Sequence, residues 1–216
     1  MPFPADRTQR ADGSPADKVR RALRPSDRSR ETAGNERLTG STAGVLLVLL
    51  AVEGVTIVAL RPLLSVHVFV GVLLIPPIAL KLASTGYRFV RYYTRHPAYH
   101  RQGPPRLLLR LLAPLVVAST LALFGTGVAL IVQGPRAGVI LALHKASFLV
   151  WFVAMTIHVL AYVLRVPAMV VADWRRPNTV SGCTVRRALL LGSIGAGVVL
   201  GIVALPSAHP WVVVMR

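Results

Sequence analysis

"LHKASFLVWFVAMTIHVL", residues 143–160, is apolar enough to lie in a lipid bilayer, yet it carries two histidines, His144 and His158, 14 positions apart. Titratable side chains inside a membrane are costly, so each one that a membrane helix keeps is a pointer to function. On an α-helix, 14 steps return a side chain to within about 40° of its starting direction and carry it ~21 Å along the axis. The two rings therefore share one helix face and stand near opposite membrane surfaces.

The rest of the chain fits a membrane setting. Of 216 residues, 54% are hydrophobic, and the mean hydropathy is +0.59, which is too apolar for a soluble domain of this size. There are 25 Lys and Arg against 8 Asp and Glu, a formal net charge of +17. Basic residues beside apolar spans record membrane orientation. With no zinc-finger spacing and no aromatic-studded basic surface, nucleic acid is not an expected partner. The single cysteine, Cys183, excludes an internal disulfide and any Cys-based redox motif. The first 40 residues hold no apolar stretch of signal-peptide type, so the first span itself is expected to direct insertion.

Five apolar spans are predicted, at about 41–60, 64–87, 107–132, 138–164 and 188–206. Each is near the ~20 residues that an α-helix needs to cross ~30 Å of hydrocarbon, and none shows the two-residue alternation of a barrel strand. The expected fold is an all-α polytopic membrane bundle. Residues 1–37, polar and without apolar periodicity, read as a disordered tail. Residues 38–165 form a four-helix core, 166–187 a basic loop, and 188–216 a fifth helix with a short outer tail. Twenty Arg and Lys fall in the tail and the loops 88–110 and 165–187, against three on the other side (Arg61, Arg136 and Arg216). That bias predicts a multi-pass protein of the cell membrane with the N-terminus cytoplasmic and the C-terminus outside. Pro76-Pro77 in mid-span 2 predicts a kink. Gly197 and Gly201, four apart in span 5, predict close helix contact, either with a neighbouring span or as a homo-oligomer face, the former being the simpler.

The polar residues inside the spans are few: Glu53, His67, Lys81, His144, Lys145 and His158. His67 and Lys81 are again 14 apart. Spans 2 and 4 run in the same direction, and His67 and His144 lie at similar depth near the outer surface. If the two helices face one another, His67 meets His144 and Lys81 meets His158. Two imidazoles at one level on facing helices are the axial ligand set of a b-type haem, and a helix bundle offers a dry slot for it. Gly71, Ser147, Gly125 and Gly127 are small residues that would admit the edge of the macrocycle. Glu53 has two readings, a proton acceptor beside the haem, or a structural carboxyl that is protonated and bonded to a helix carbonyl or salt-bridged to Lys145 across the bundle. Tyr87, Tyr92, Tyr93 and Trp174 read as an interfacial aromatic belt, His209 as an interfacial residue beside Trp211.

On these residues, spans 1 to 4 resemble the membrane cytochromes b, of the bacterial cytochrome b561 type and the cytochrome subunits of formate dehydrogenases and hydrogenases. In those families one helix carries two histidines 14 apart, matching His144 and His158, and a second helix supplies an outer partner, matching His67. The resemblance implies an outer haem b ligated by His67 and His144, and one-electron transfer between a membrane quinol pool and a redox partner subunit. It departs from the family at the inner site. The inner end of span 1 ("NERLTGSTAGVL") has no histidine, and Lys81 stands where quinol-oxidising cytochromes have one. A lysine ligates iron only when deprotonated, so the inner site reads as lost, with Lys81 anchoring a propionate, pairing with His158 or reaching for the surface. His96 and His100 reach His158 only if their loop folds inward. The rival expectation is a non-haem membrane protein, a transporter-like bundle or an assembly scaffold. Five spans offer no inverted-repeat pairing for a transporter.

Overall fold

The structure, a computed structural model, describes residues 27–100, 107–162 and 182–215. Among them no strand occurs. The elements are α1 (Asp27–Val58), α2 (Leu60–Tyr93), a single turn α3 (Pro97–His100), α4 (Leu107–Gln133), α5 (Gly138–Tyr162) and α6 (Cys183–Ala204). A 3-10 turn (Leu205–Ala208) then leads into α7 (His209–Met215). Five stretches are long and apolar enough to cross a membrane: Thr32–Val58, Leu60–Tyr93, Arg110–Gln133, Gly138–Ala161 and Cys183–Val214. The protein is thus an all-helical multi-pass membrane bundle. Large apolar side chains on the outer faces stand open, Val55 at 63%, Leu121 at 61% and Val203 at 70% exposure. Hydrocarbon, not water, is the solvent that suits such a surface.

Two turns fold the spans back on themselves. Only Ala59 separates α1 from α2, and its carbonyl accepts the Leu63 N–H at 3.2 Å. The α4–α5 turn begins at Gly134, whose φ of +71° lies in the left-handed region that glycine enters without a Cβ clash. Its N–H donates to the Leu130 carbonyl at 2.9 Å, closing the end of α4. α2 is the central helix, packed against α1 on one side and α6 on the other. α4 and α5 form a second pair, tied by Trp151 Nε1 donating to Thr120 Oγ1 at 3.1 Å. Phe124 of α4 packs on the α1–α2 core of Leu46, Val70 and Leu74.

The prolines of span 2 and the glycines of span 5 meet in one contact. α2 runs through Pro76 and Pro77 as a continuous helix. Pro77 lacks the N–H that would bond the Leu73 carbonyl, four residues earlier. That freed carbonyl lies against Gly197 of α6, where an added Cβ would overlap its oxygen. One turn on, a Cβ at Gly201 would come within 2.8 Å of the Phe69 ring. Both glycines are buried. The Gly-rich face is therefore spent on packing α6 against α2 within the chain, the use that small residues at this spacing serve in membranes.

Two expectations on helix limits change. Residues 27–37, read as part of an irregular tail, are the first turns of α1. Near their end a polar contact ties them to α2, Asn35 Nδ2 donating to the Ser84 carbonyl at 3.1 Å and, just beyond, Thr39 Oγ1 to Ser84 Oγ at 3.0 Å. The fifth stretch, expected to end near 206, continues through the 3-10 turn into α7, which buries Trp211 against Leu64 and Leu130. Residues 1–26, and most of the expected basic loop 166–187 with Trp174, lie outside the described residues.

Candidate functional site

Between the α1–α2 pair and the α4–α5 pair lies a cavity of about 440 Å³, within the range of sites that take small molecules and cofactors. Its wall is almost wholly aliphatic and aromatic. The exceptions are Glu53, His67, His144 and Lys145, and Trp211 stands among the lining residues.

Each histidine is oriented by the helix paired with its own. His67, on α2, places Nδ1 2.9 Å from Glu53 Oε1 and 3.0 Å from Thr56 Oγ1, both on α1. The Thr56 hydroxyl gives its proton to the Glu53 backbone carbonyl at 2.6 Å. The Thr56 and Glu53 side chains therefore present acceptors to His67, and the ring answers with Nδ1–H. His144, on α5, has Nδ1 3.1 Å from Thr126 Oγ1 on α4. That hydroxyl donates back to the Ala122 carbonyl at 2.7 Å, so again the imidazole Nδ1–H is the donor. Both rings are thus assigned the tautomer whose Nε2 carries a lone pair. A hydrogen bond at one ring nitrogen that fixes the other as a ligand atom is the usual outer-shell arrangement of metal-binding histidines.

Gly127 and Gly71 make room for these groups. A Cβ at Gly127 would lie 3.3 Å from His144 Cε1, and one at Gly71 3.4 Å from Glu53 Oε1. Gly71 therefore clears space for the carboxylate that holds His67. A Cβ added at Gly125 would meet nothing within 4 Å, and this glycine is absent from the cavity wall. Ser147 is off the wall as well, its hydroxyl donating to the His144 carbonyl at 3.0 Å.

The inner pair is not gathered into this cavity. Lys81 Nζ donates to the Thr39 carbonyl of α1 at 2.9 Å, in the same polar seam as Asn35 and Ser84. The histidine-free start of span 1 thus supplies a carbonyl partner to the lysine. His158 lies half-buried further along α5. His96 follows α2 with its ring 5.9 Å from that of Tyr99, and the side chain of His100 lies outside the described residues.

Thr56 and Thr126 were not singled out from the sequence; for Thr126 a signal existed, and the same signal pairs Glu53 with His67. In a tight antiparallel hairpin, residues equidistant from the turn face each other. Glu53 and His67 each stand seven residues from Leu60, and Thr126 and His144 each stand nine from Pro135.

Among the described residues no group of three or more His, Cys, Asp or Glu side chains could hold a bare metal ion. Two imidazoles that line one apolar cavity from different helix pairs suit a metal that brings its own planar ligands, as iron in a porphyrin does. Replacing Glu53 by Leu, or Thr126 by Val, removes one orienting acceptor while leaving both rings in place. Each substitution is expected to weaken binding of such a group roughly 10–100-fold, the usual cost of losing an outer-shell partner, as read by equilibrium titration in detergent. Comparison of the chain with known protein families, with curated proteins and with solved structures found no match, so its functional reading stands on these residues and their geometry.

Proposed function

We propose that this chain is a membrane electron-transfer protein of the cytochrome b type, carrying one haem b between His67 of α2 and His144 of α5. The observation that carries the reading is the pair of Nδ1-anchored imidazoles lining one apolar cavity from opposite helix pairs. The bound haem supplies reversible one-electron redox chemistry. The protein's own contributions are ligation by two histidines, their orientation by Glu53, Thr56 and Thr126, and exclusion of water by the aliphatic wall. The spacing of His144 and His158, and the outer partner His67, support the resemblance to membrane cytochromes b. With Lys81 engaged by Thr39 and His158 off the cavity wall, the reading is of one haem and not two.

The excess of Arg and Lys at the end where α1 and α6 begin supports a cytoplasmic location for that end and an outer location for the cavity. A quinol pool and a redox partner subunit are the proposed electron donor and acceptor, on the strength of the resemblance alone. The test is an absorption spectrum. Purified in detergent after expression with haem supply, the protein is expected to show a Soret band and a sharp α-band on reduction. A colourless protein from haem-replete cells would favour the non-haem transporter or scaffold.

A further inference from the structure

Four ionisable side chains reach the cavity wall, and three have partners within the protein. Glu53 and His67 hold each other, and His144 is held by Thr126. Lys145 is the fourth, and among the described residues it is the only permanent cation on the wall. It is the eighth residue of α5, ~10 Å along the helix from Gly138. Among the described residues it makes no ion pair and no hydrogen bond. Its side chain is exposed, and a cation that faces hydrocarbon this far from the helix end needs a counter-charge or a route to water. The carboxylate on the same wall that could serve, Glu53, is already committed to His67 and Thr56. Side chains on a helix lean toward its N-terminus, which for α5 is the end of the cavity where Trp211 sits.

From this balance of charge we infer that the occupant of the cavity is an acid, and that Lys145 meets its carboxylate at the Trp211 end. The inference rests on the haem reading, in which the occupant is a flat apolar ring bearing carboxylates along one edge. It assigns Lys145 as the residue that decides which way round the ring enters. A charge-assisted contact in a largely apolar setting outweighs an ordinary hydrogen bond, so the neutral analogue should be discriminated against.

The test titrates the full-length apoprotein in detergent with haem and, separately, with haem dimethyl ester, whose carboxyl groups are uncharged. The unsubstituted chain is expected to bind haem about ten-fold or more tightly than the ester. Lys145→Met, which keeps length and removes charge, is expected to erase that preference by weakening haem alone, whereas Lys145→Arg keeps it. The reduced α-band should be unchanged in both variants, because His67 and His144 are untouched. Equal affinity for the two forms, unaltered by Lys145→Met, would overturn the carboxylate contact and leave the haem reading standing. Binding of neither form would overturn both.

Discussion

His67→Ala and His144→Ala should each abolish the haem absorption of the purified protein, while His158→Ala leaves it intact. The two positions line the same cavity, each with Nδ1 tied to a side-chain oxygen and Nε2 left with its lone pair, free to serve as the proposed ligand atom. His158 is off that wall. Losing an orienting partner alone costs roughly 10–100-fold in affinity, so losing the ligand itself is expected to cost more than about 100-fold. A second measurement separates ligation from misfolding. In His144→Gly, imidazole added to the buffer can occupy the vacated position and should restore the α-band. Equal loss of haem in the His67, His144 and His158 variants, or spectra identical to the unsubstituted protein in all three, would refute the assignment of ligands.

The second large effect is expected in α6. Gly197→Ala drives a methyl into the Leu73 carbonyl, a backbone atom that cannot swing aside as a side chain does. Overpacking of this kind costs about 1–3 kcal/mol, and Gly197→Leu should cost more by prising α6 from α2. Gly192 and Gly195, on the same helix, have nothing within 4 Å of their missing Cβ. Alanine there should be neutral or slightly stabilising, since it is a better helix former than glycine by up to about 1 kcal/mol. Thermal unfolding in detergent, followed by helical circular dichroism, compares the four variants. If Gly197→Ala melts with Gly192→Ala, the α2–α6 contact is not what holds the fifth span.

How far the fold was legible follows from the nature of the signals. The five spans could be read directly because hydrocarbon imposes both length and composition on any helix that crosses it. The start of α1 escaped that reading. Asn35 and Thr39 are fixed by Ser84 and Lys81, and polar contacts leave no apolar periodicity to detect. The candidate site was partly legible. Helix arithmetic puts His67 and His144 at one depth, but it does not place them on one cavity or name Thr56 and Thr126 as their partners.

By itself, the amino-acid sequence determined the helical class, the number of stretches able to cross a membrane, the position of each polar residue along its helix and the helix ends at which the basic residues gather. These depend only on local composition and on the fixed rise and turn of an α-helix. Tertiary structure alone decided which faces meet. It brought the Leu73 carbonyl freed by Pro77 onto Gly197, turned Lys81 toward Thr39, gave Gly71 to the Glu53 carboxylate and seated Trp211 beside the cavity. The physical reason is that rotation about a helix axis changes neither hydropathy nor length. Lipid exerts no preference among apolar faces, so packing and a few hydrogen bonds between neighbours settle the choice.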